Sequence, residues 1–199
     1  MLPAAEQSKS RSVKEMSSAT RRSSGRDPRF ALRDETSQAH AALDQLYSRL
    51  KLDQPGDYGV FLQSHAAAFI PVEDALLAAG AETLTPGWAA RRRAPALRDD
   101  LHRMELEIPA PGEPPAFEDE AEVLGGMYVL EGSRLGGAVL VRSVGPGLPT
   151  RFLSPGDPAQ WRAFQALLRE RLTTDAHVLR AGDAARAVFA LFEWAVRTT

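Results

Sequence analysis

The feature that most constrains the fold of this chain is a glycine-rich helical segment, GGMYVLEGSRLGGAVL, at residues 125–140. A glycine inside a helix costs about 1 kcal/mol relative to alanine, so these glycines together cost roughly 4 to 5 kcal/mol. At about 100° per residue, Gly125, Gly132 and Gly136 fall on one side of the helix, and Gly137 falls on a neighbouring stripe. One broad face therefore lacks side chains, and a closely packed neighbour must offset the cost.

Three kinds of neighbour could occupy the bare face. A second helix packed through small residues explains Gly132 and Gly136, although it hardly requires two glycine-rich stripes. A membrane dimerisation helix is excluded by Glu131 and Arg134 within the segment. A flat, bulky ligand lying against the backbone is the third. On spacing alone, helix packing and a ligand are favoured about equally.

The remainder of the chain reads as helical. Asp27-Pro28 and Asp157-Pro158 are typical helix starts, an N-cap followed by proline. A kink or break is expected near Pro71, with Gly80 closing that helix, and an interruption is expected at Pro95. The only strand-like runs, 139–144 and 150–153, are too short and isolated to build a sheet. Helices are predicted over residues 30–52, 57–79, 86–106, 117–143, 157–172 and 182–197, which indicates an all-α single domain.

Composition narrows the chemistry. The chain of 199 residues has no cysteine, which excludes disulfides, thiolate nucleophiles, cysteine-bound zinc, iron–sulfur clusters and thiolate-bound haem. Of the four histidines, no two have the i, i+4 spacing of a helical zinc site. His65 lies in an apolar stretch and is predicted to be a core or pocket-adjacent residue. His102 and His177 are predicted on helix surfaces, and Arg91–Arg93 as a solvated basic run.

Charge divides the chain into two regions. Residues 1–29 hold seven basic and three acidic residues and few apolar ones, so we expect a disordered basic tail before a helical domain at 30–199. The body is net acidic, which argues against a nucleic-acid partner. No apolar run reaches the roughly 20 residues of a membrane span, and the tail lacks the apolar core of a secretory signal. A cytoplasmic protein with no membrane partner is therefore expected.

His40 stands out on the first predicted helix. Thr36 and Asp44 lie four residues to either side, and Arg33 lies seven residues earlier, so all four share one face. A lone histidine near an apolar stripe is more often a hydrogen-bonded core residue than a metal ligand. A carboxylate one turn away favours the ligand interpretation, because it can accept the second ring N–H and fix the tautomer. Arg33 could meet an anionic group at the rim of a ligand.

Two segments together resemble the haem oxygenase family. RDETSQAHAALD at residues 33–44 resembles the family's proximal helix, and YVLEGSRLGG at residues 128–137 resembles its distal helix. The likeness is closer to bacterial members, including those encoded beside bacteriophytochromes, and its layout extends over residues 30–197. The second segment carries most of the specificity, since a threonine four residues before a histidine is a common pattern.

The resemblance implies a helical bundle with haem between the proximal and the glycine-rich distal helix. His40 would be the single axial ligand of the iron, and Arg33 and Tyr128 would contact the haem propionates. Animal members carry an aspartate where Ser133 stands, so proton delivery is expected to rely on waters held by other groups. Where Asp44 stands the family often has glutamate, and the shorter arm is expected to need a water bridge to His40. The implied catalytic residues are Gly132, Ser133 and Gly136, and these with Gly137 would also contact haem.

The resemblance also implies a reaction. Haem would be both cofactor and substrate, and O₂ with electrons from a reductase or ferredoxin would convert it to biliverdin, carbon monoxide and ferrous iron. A bacteriophytochrome is the implied receiver of biliverdin. Two alternatives stay open: a non-catalytic carrier of haem or another tetrapyrrole, and a helical interaction module whose glycines serve only packing.

Overall fold

The computed structural model describes residues 26–199, which fold into helices with no β-strand among them. This confirms the all-α prediction. Most of the predicted tail, residues 1–25, lies outside the described residues. Two short 3₁₀ turns, Ala89–Arg91 and Val141–Ser143, accompany the α-helices. The helices are α1 Pro28–Tyr47, α2 Pro55–Ala78, α3 Ala81–Leu84, α4 Ala94–Arg103, α5 Glu120–Leu140, α6 Pro158–Arg171 and α7 Asp175–Thr198.

Several helix boundaries differ from the predicted ones. The first helix ends at Tyr47, where the chain turns. The prediction placed its end later, because the apolar pattern continues into the following loop. The last helix begins at Asp175, seven residues before the predicted start, since Thr174 caps it by accepting a hydrogen bond from the His177 amide at 3.1 Å. Pro95 does not interrupt a helix. It lies in the first turn of α4, where a missing N–H costs nothing.

Pro71 does not break α2, one of the two predicted outcomes, because the helix is continuous from Pro55 to Ala78. Proline lacks the N–H that would bond to Ala67, four residues earlier, so that carbonyl needs another donor. The amide of Gly112, in the linker after α4, donates to the Ala67 oxygen at 2.8 Å. As predicted, Gly80 terminates the helix in a left-handed conformation with φ 95°. The linker therefore satisfies the backbone group that the proline leaves unpaired.

Two long helices form the centre of the domain. Helix α2 is buried on most sides, and α7 packs against α1, α2 and α5. Helices α1 and α5 lie on α7 but make few contacts with each other. Large apolar side chains of α2 and α7, such as Phe61, Phe69 and Phe192, fill the space between them. Within the described residues, no helix is both long and apolar enough to cross a membrane.

Buried carboxylates fix the connections around this core. Glu73 on α2 accepts hydrogen bonds from the backbone amides of Arg93 and Ala94 at 2.7 and 2.9 Å, and so caps the start of α4. Asp100 accepts the amide of Phe152 at 2.8 Å, and burial raises the pKa of this carboxyl. Each loop is thus held to a helix by a buried polar group.

The bare face of α5 has two different neighbours. A Cβ atom at Gly125 would overlap the backbone carbonyl of Ala181 on α7, and one at Gly126 would meet the ring of Phe117 at 2.6 Å. Gly136 has nothing within 4 Å of the Cβ position, apart from its own helix and chain neighbours. Close packing therefore explains Gly125 and Gly126, whereas Gly136 faces open space.

This difference predicts opposite effects of the same substitution on stability. Gly125→Ala should lower the free energy of unfolding by about 1 to 3 kcal/mol, because α5 must move away from α7. Gly136→Ala should leave it unchanged or raise it by up to about 1 kcal/mol, since the methyl group meets no atom and alanine favours the helix. Urea denaturation followed by circular dichroism measures both. Equal losses in the two variants would contradict this assignment.

Candidate functional site

A cavity of about 1290 Å³ lies between α1, α5 and α7. It is somewhat larger than most small-molecule pockets, which run to about 1,000 Å³. Its walls carry the aromatic rings of Phe61, Phe152, Trp161, Phe189 and Phe192. A cavity of this size with aromatic walls suits a large, flat, mainly apolar ligand.

The structure brings every predicted site residue to this cavity. Two segments about ninety residues apart in the chain form facing parts of its wall, because α1 and α5 both pack on α7. Neither His102 nor His177 lines it. The predicted residues that do are Arg33, His40, Tyr128, Gly132, Ser133, Gly136 and Gly137.

His40 is held in one orientation and remains accessible. Its Nδ1 lies 2.9 Å from Oδ2 of Asp44, and its side chain is 62% exposed. The expected water bridge is therefore wrong, because one helical turn brings the short carboxylate directly to the ring. The edge of the ring meets Phe189, with centroids 5.8 Å apart. A histidine serving the core would be buried, whereas His40 leaves Nε2 available to a ligand in the cavity.

The glycine face of α5 forms a flat part of the wall. The space above Gly136 is empty, and Gly132 has only the tip of Trp161 nearby, 3.9 Å from the Cβ position. Gly137 borders Leu153, whose nearest side-chain atom lies 3.5 Å from its Cβ position. A planar ligand could therefore approach the α5 backbone over one helical turn.

Polar groups at one edge of the cavity come from both helices. Burial raises the pKa of Tyr128, and the nearby Thr36 hydroxyl and Arg33 charge oppose that effect only in part. The tyrosine is thus a neutral hydroxyl at physiological pH. Arg33 is exposed and forms no ion pair with any residue from 26 to 199. This edge offers a cation and a hydroxyl to an acidic substituent.

His65 also lines the cavity, in agreement with its predicted pocket-adjacent position. Its Nδ1 lies 2.8 Å from the carbonyl oxygen of Phe61, and its ring contacts Phe61 and Phe152. Burial, helped by the positive charge of Arg93, lowers the pKa of His65 to about 4. The ring is therefore neutral at physiological pH, with Nδ1–H donating to the carbonyl.

Arg93 corrects the prediction of a solvated basic run. It is only 6% exposed, and its guanidinium lies over the rings of Phe69 and Phe152 at 4.5 and 5.1 Å. Its Nη2 donates to the carbonyl of Leu130 at 2.8 Å and to Oγ of Ser133. The side chain turns inward because Glu73 binds the backbone at this point. No feature of the sequence distinguishes Arg93 from its neighbours.

Arg91 and Arg92 are partly buried as well, and both pair with acids. Arg92 lies 3.2 Å from Glu73 and also contacts Asp74, and Arg91 lies 3.9 Å from Glu131. Glu131 is directed away from the cavity and accepts a hydrogen bond from Nε1 of Trp88 at 2.9 Å. The arginine run is thus an internal structural element.

The described residues do not hold a metal ion by themselves. Between residues 26 and 199, no group of three histidines, aspartates or glutamates is placed to coordinate one. A metal bound at His40 would therefore need further ligands from a cofactor, such as the nitrogens of a porphyrin. The large apolar cavity and the single accessible imidazole fit that requirement.

Comparisons with known proteins agree with this geometry. No family model matches the chain. In three dimensions it is similar to the NO- and CO-bound haem oxygenase from Neisseria meningitidis, with a TM-score of 0.73 at 24% identity, covering 85% of this chain and 90% of that one. This match establishes the haem oxygenase fold.

A sequence relative establishes the family. A haem oxygenase of Xanthomonas campestris pv. campestris (strain 8004) is 44% identical over 113 residues, which cover 53% of this chain and 68% of the relative. The chain therefore belongs to the haem oxygenase family.

The partly buried imidazole of His65 predicts a pH dependence of stability. Because its pKa is about 4 in the folded chain and 6.5 in the reference state, the unfolded chain binds the proton first as the pH falls. The neutral ring contributes to the free energy of unfolding in full above pH 6.5, and this contribution falls towards pH 4. At pH 5 roughly 2 kcal/mol has been lost. Between pH 7 and pH 5 the free energy of unfolding of His65→Gln should therefore fall by roughly 2 kcal/mol less than that of wild type, as measured by urea denaturation. His102→Gln, at an exposed position, should follow wild type.

Proposed function

We propose that this chain is a haem oxygenase that converts haem to biliverdin, carbon monoxide and ferrous iron, using O₂ and external electrons. The observation that carries the proposal is a single accessible imidazole, His40, in the same cavity as a helix face bare of side chains. Membership of the haem oxygenase family supports the same activity.

Bound haem would supply the iron that reacts with O₂ and, in its own ring, the carbon that is oxidised. In this proposal Nε2 of His40 would be the protein ligand that holds the haem iron. Asp44 accepts a hydrogen bond from Nδ1–H, which keeps Nε2 free of a proton and makes it a better donor to a metal. A neutral imidazole also pushes less electron density onto iron than a thiolate does, which suits oxidation of the ring itself.

We assign Gly132, Gly136 and Gly137 to the opposite side of the haem. Because these glycines have no side chains, haem could lie close to the α5 backbone. The narrow gap that remains would exclude water and restrict where a small molecule can lie. Gly132 and Gly136 are therefore the proposed catalytic positions on this helix. Their effect is steric and electrostatic, because at these two positions only the backbone meets the ligand.

We assign Arg33 and Tyr128 to the haem propionates. The unpaired charge of Arg33 attracts a carboxylate, and the neutral Tyr128 hydroxyl can donate a hydrogen bond to it. Contacts at this edge would fix the rotation of the haem in its plane. They would thereby select which ring carbon faces the glycines.

Ser133 is proposed to position a neighbouring side chain and not to donate a proton itself. Its Oγ donates to the Leu130 carbonyl at 2.8 Å and accepts a hydrogen bond from Arg93. Its hydroxyl proton is therefore already engaged. We propose that Ser133 fixes the position of Arg93 beside the glycine face, and that ordered waters deliver protons.

The proposal extends to partners and organisation. External electrons would come from a reductase or ferredoxin, and a bacteriophytochrome would receive the biliverdin. We place the reaction in the cytoplasm, with residues 30–199 as the catalytic domain and 1–29 as a separate tail. Helix α1 begins at Pro28, so its first turn includes the last two residues assigned to the tail. The alternative of a non-catalytic haem carrier has no observation in its favour, because both similar proteins are oxygenases by name.

The axial assignment predicts a spectroscopic loss. Hemin added to the purified chain should give a shifted Soret band, and His40→Ala should abolish that shift or weaken hemin binding at least about tenfold, because the only proposed protein ligand is gone. His177→Ala, at a partly exposed position outside the cavity, should bind hemin like wild type. An unaltered Soret spectrum in His40→Ala would remove His40 as the ligand.

The steric role of the glycine face predicts a loss of turnover. Under air with ascorbate or a ferredoxin system, wild type should lose its Soret band as biliverdin appears. Gly136→Val should bind hemin but stop turnover or change the biliverdin isomer, because the branched side chain occupies the space over the ring. Gly136→Ala should have a smaller effect. Wild-type turnover by Gly136→Val would contradict the assigned face, and a stable Soret band in wild type would favour carriage over catalysis.

A further inference from the structure

Arg93 is a buried cation without a paired anion. Its side chain lines the cavity and is 6% exposed, yet no carboxylate of the described residues lies within salt-bridge distance of it. Only its Nη2 has hydrogen-bond acceptors, the Leu130 carbonyl and the Ser133 hydroxyl. Its Nε is buried with no partner, and its Nη1 meets no acceptor among residues 26–199. Buried polar groups of this kind normally have partners.

The surrounding rings do not account for the charge. The guanidinium lies over Phe69 and Phe152, and cation–π contacts of this type offset only part of the cost of burying a charge. Removing an ion from water costs several kcal/mol even after the protein relaxes. Burial lowers the pKa of Arg93 to about 9, so the group is still a cation at neutral pH. The contacts within the chain leave part of the desolvation cost without compensation.

Nearby acids are engaged elsewhere. Glu73 binds the backbone amides at the start of α4 and the side chain of Arg92, and Glu131 binds Trp88 and Arg134. His65, which also lines the cavity, is neutral. Glu131 and Glu73 favour the charged form of Arg93 from a distance, but no carboxylate of the described residues forms an ion pair with it, so its positive charge stays available at the cavity wall.

We propose that Arg93 forms a binding site for a small inorganic anion at the inner end of the cavity, next to Ser133. A small anion suits the site, because the Arg93 guanidinium lines the cavity beside Ser133 and is flanked by the ring of Phe152. A planar guanidinium with free N–H groups suits such a ligand. The inference deepens the proposed function: with haem bound, the same charge would stabilise an anionic ligand on the side of the glycine helix.

Azide tests the site in two forms of the protein. In the chain without hemin, calorimetry should show saturable azide binding, and the azide infrared stretch should shift from its position in water. In the hemin complex, azide binding is followed by the visible spectrum. Arg93→Gln should weaken azide binding at least about tenfold in both forms, because the variant keeps a polar side chain but carries no charge. Arg93→Lys, which keeps the charge, should stay within about threefold of wild type.

Controls separate this inference from the proposed function. Arg151→Met removes an exposed arginine outside the cavity and should bind azide like wild type. Affinity of the reduced complex for neutral carbon monoxide should change less than about threefold in Arg93→Gln, since no net charge is involved. Absence of saturable azide binding in wild type, or equal affinity in Arg93→Gln, would overturn the anion site while leaving hemin binding intact. If the chain binds azide but hemin addition gives no Soret shift, the proposed function alone would be overturned.

Discussion

The close contact between α5 and α7 is the constraint on which the rest of the molecule depends. Gly125 packs directly on the backbone of Ala181, so the two helices meet without intervening side chains. Helix α1 packs on another part of α7. Because both helices are positioned by the same neighbour, a gap remains between α1 and the second half of α5. That gap is the cavity, and its floor and walls carry every residue of the proposed site.

Polar groups outside the cavity determine which side chains face into it. Glu73 binds the backbone at Arg93, and this directs the arginine inward to the glycine helix. Pro71 on the same helix leaves the Ala67 carbonyl without its helical donor, and that carbonyl binds the linker after α4 at Gly112. Arg93 is therefore directed inward by a carboxylate that does not line the cavity. The cavity acquires two cations, Arg33 at its edge and Arg93 inside, that form no ion pair with residues 26–199 and could meet a ligand with acidic groups.

The motifs predicted much of the site because each is local. The spacing of Arg33, His40 and Asp44 is a property of one helix, and so is the spacing of the α5 glycines. Their meeting in one cavity was implied by the resemblance to haem oxygenases and is seen in the structure. Errors arose where a neighbour distant in sequence decided the outcome. Arg93 is inward because of Glu73, and Pro71 is tolerated because of Gly112.

The sequence by itself determined the helical class, the bare face of α5 and the imidazole with its carboxylate one turn away. Those properties follow from periodicity and from side chains a few residues apart. Only the tertiary structure decided which glycines pack and which remain open, because that depends on where α7 crosses α5. It likewise decided that one arginine of a charged run is buried, since burial of a charge depends on partners that the local sequence does not contain.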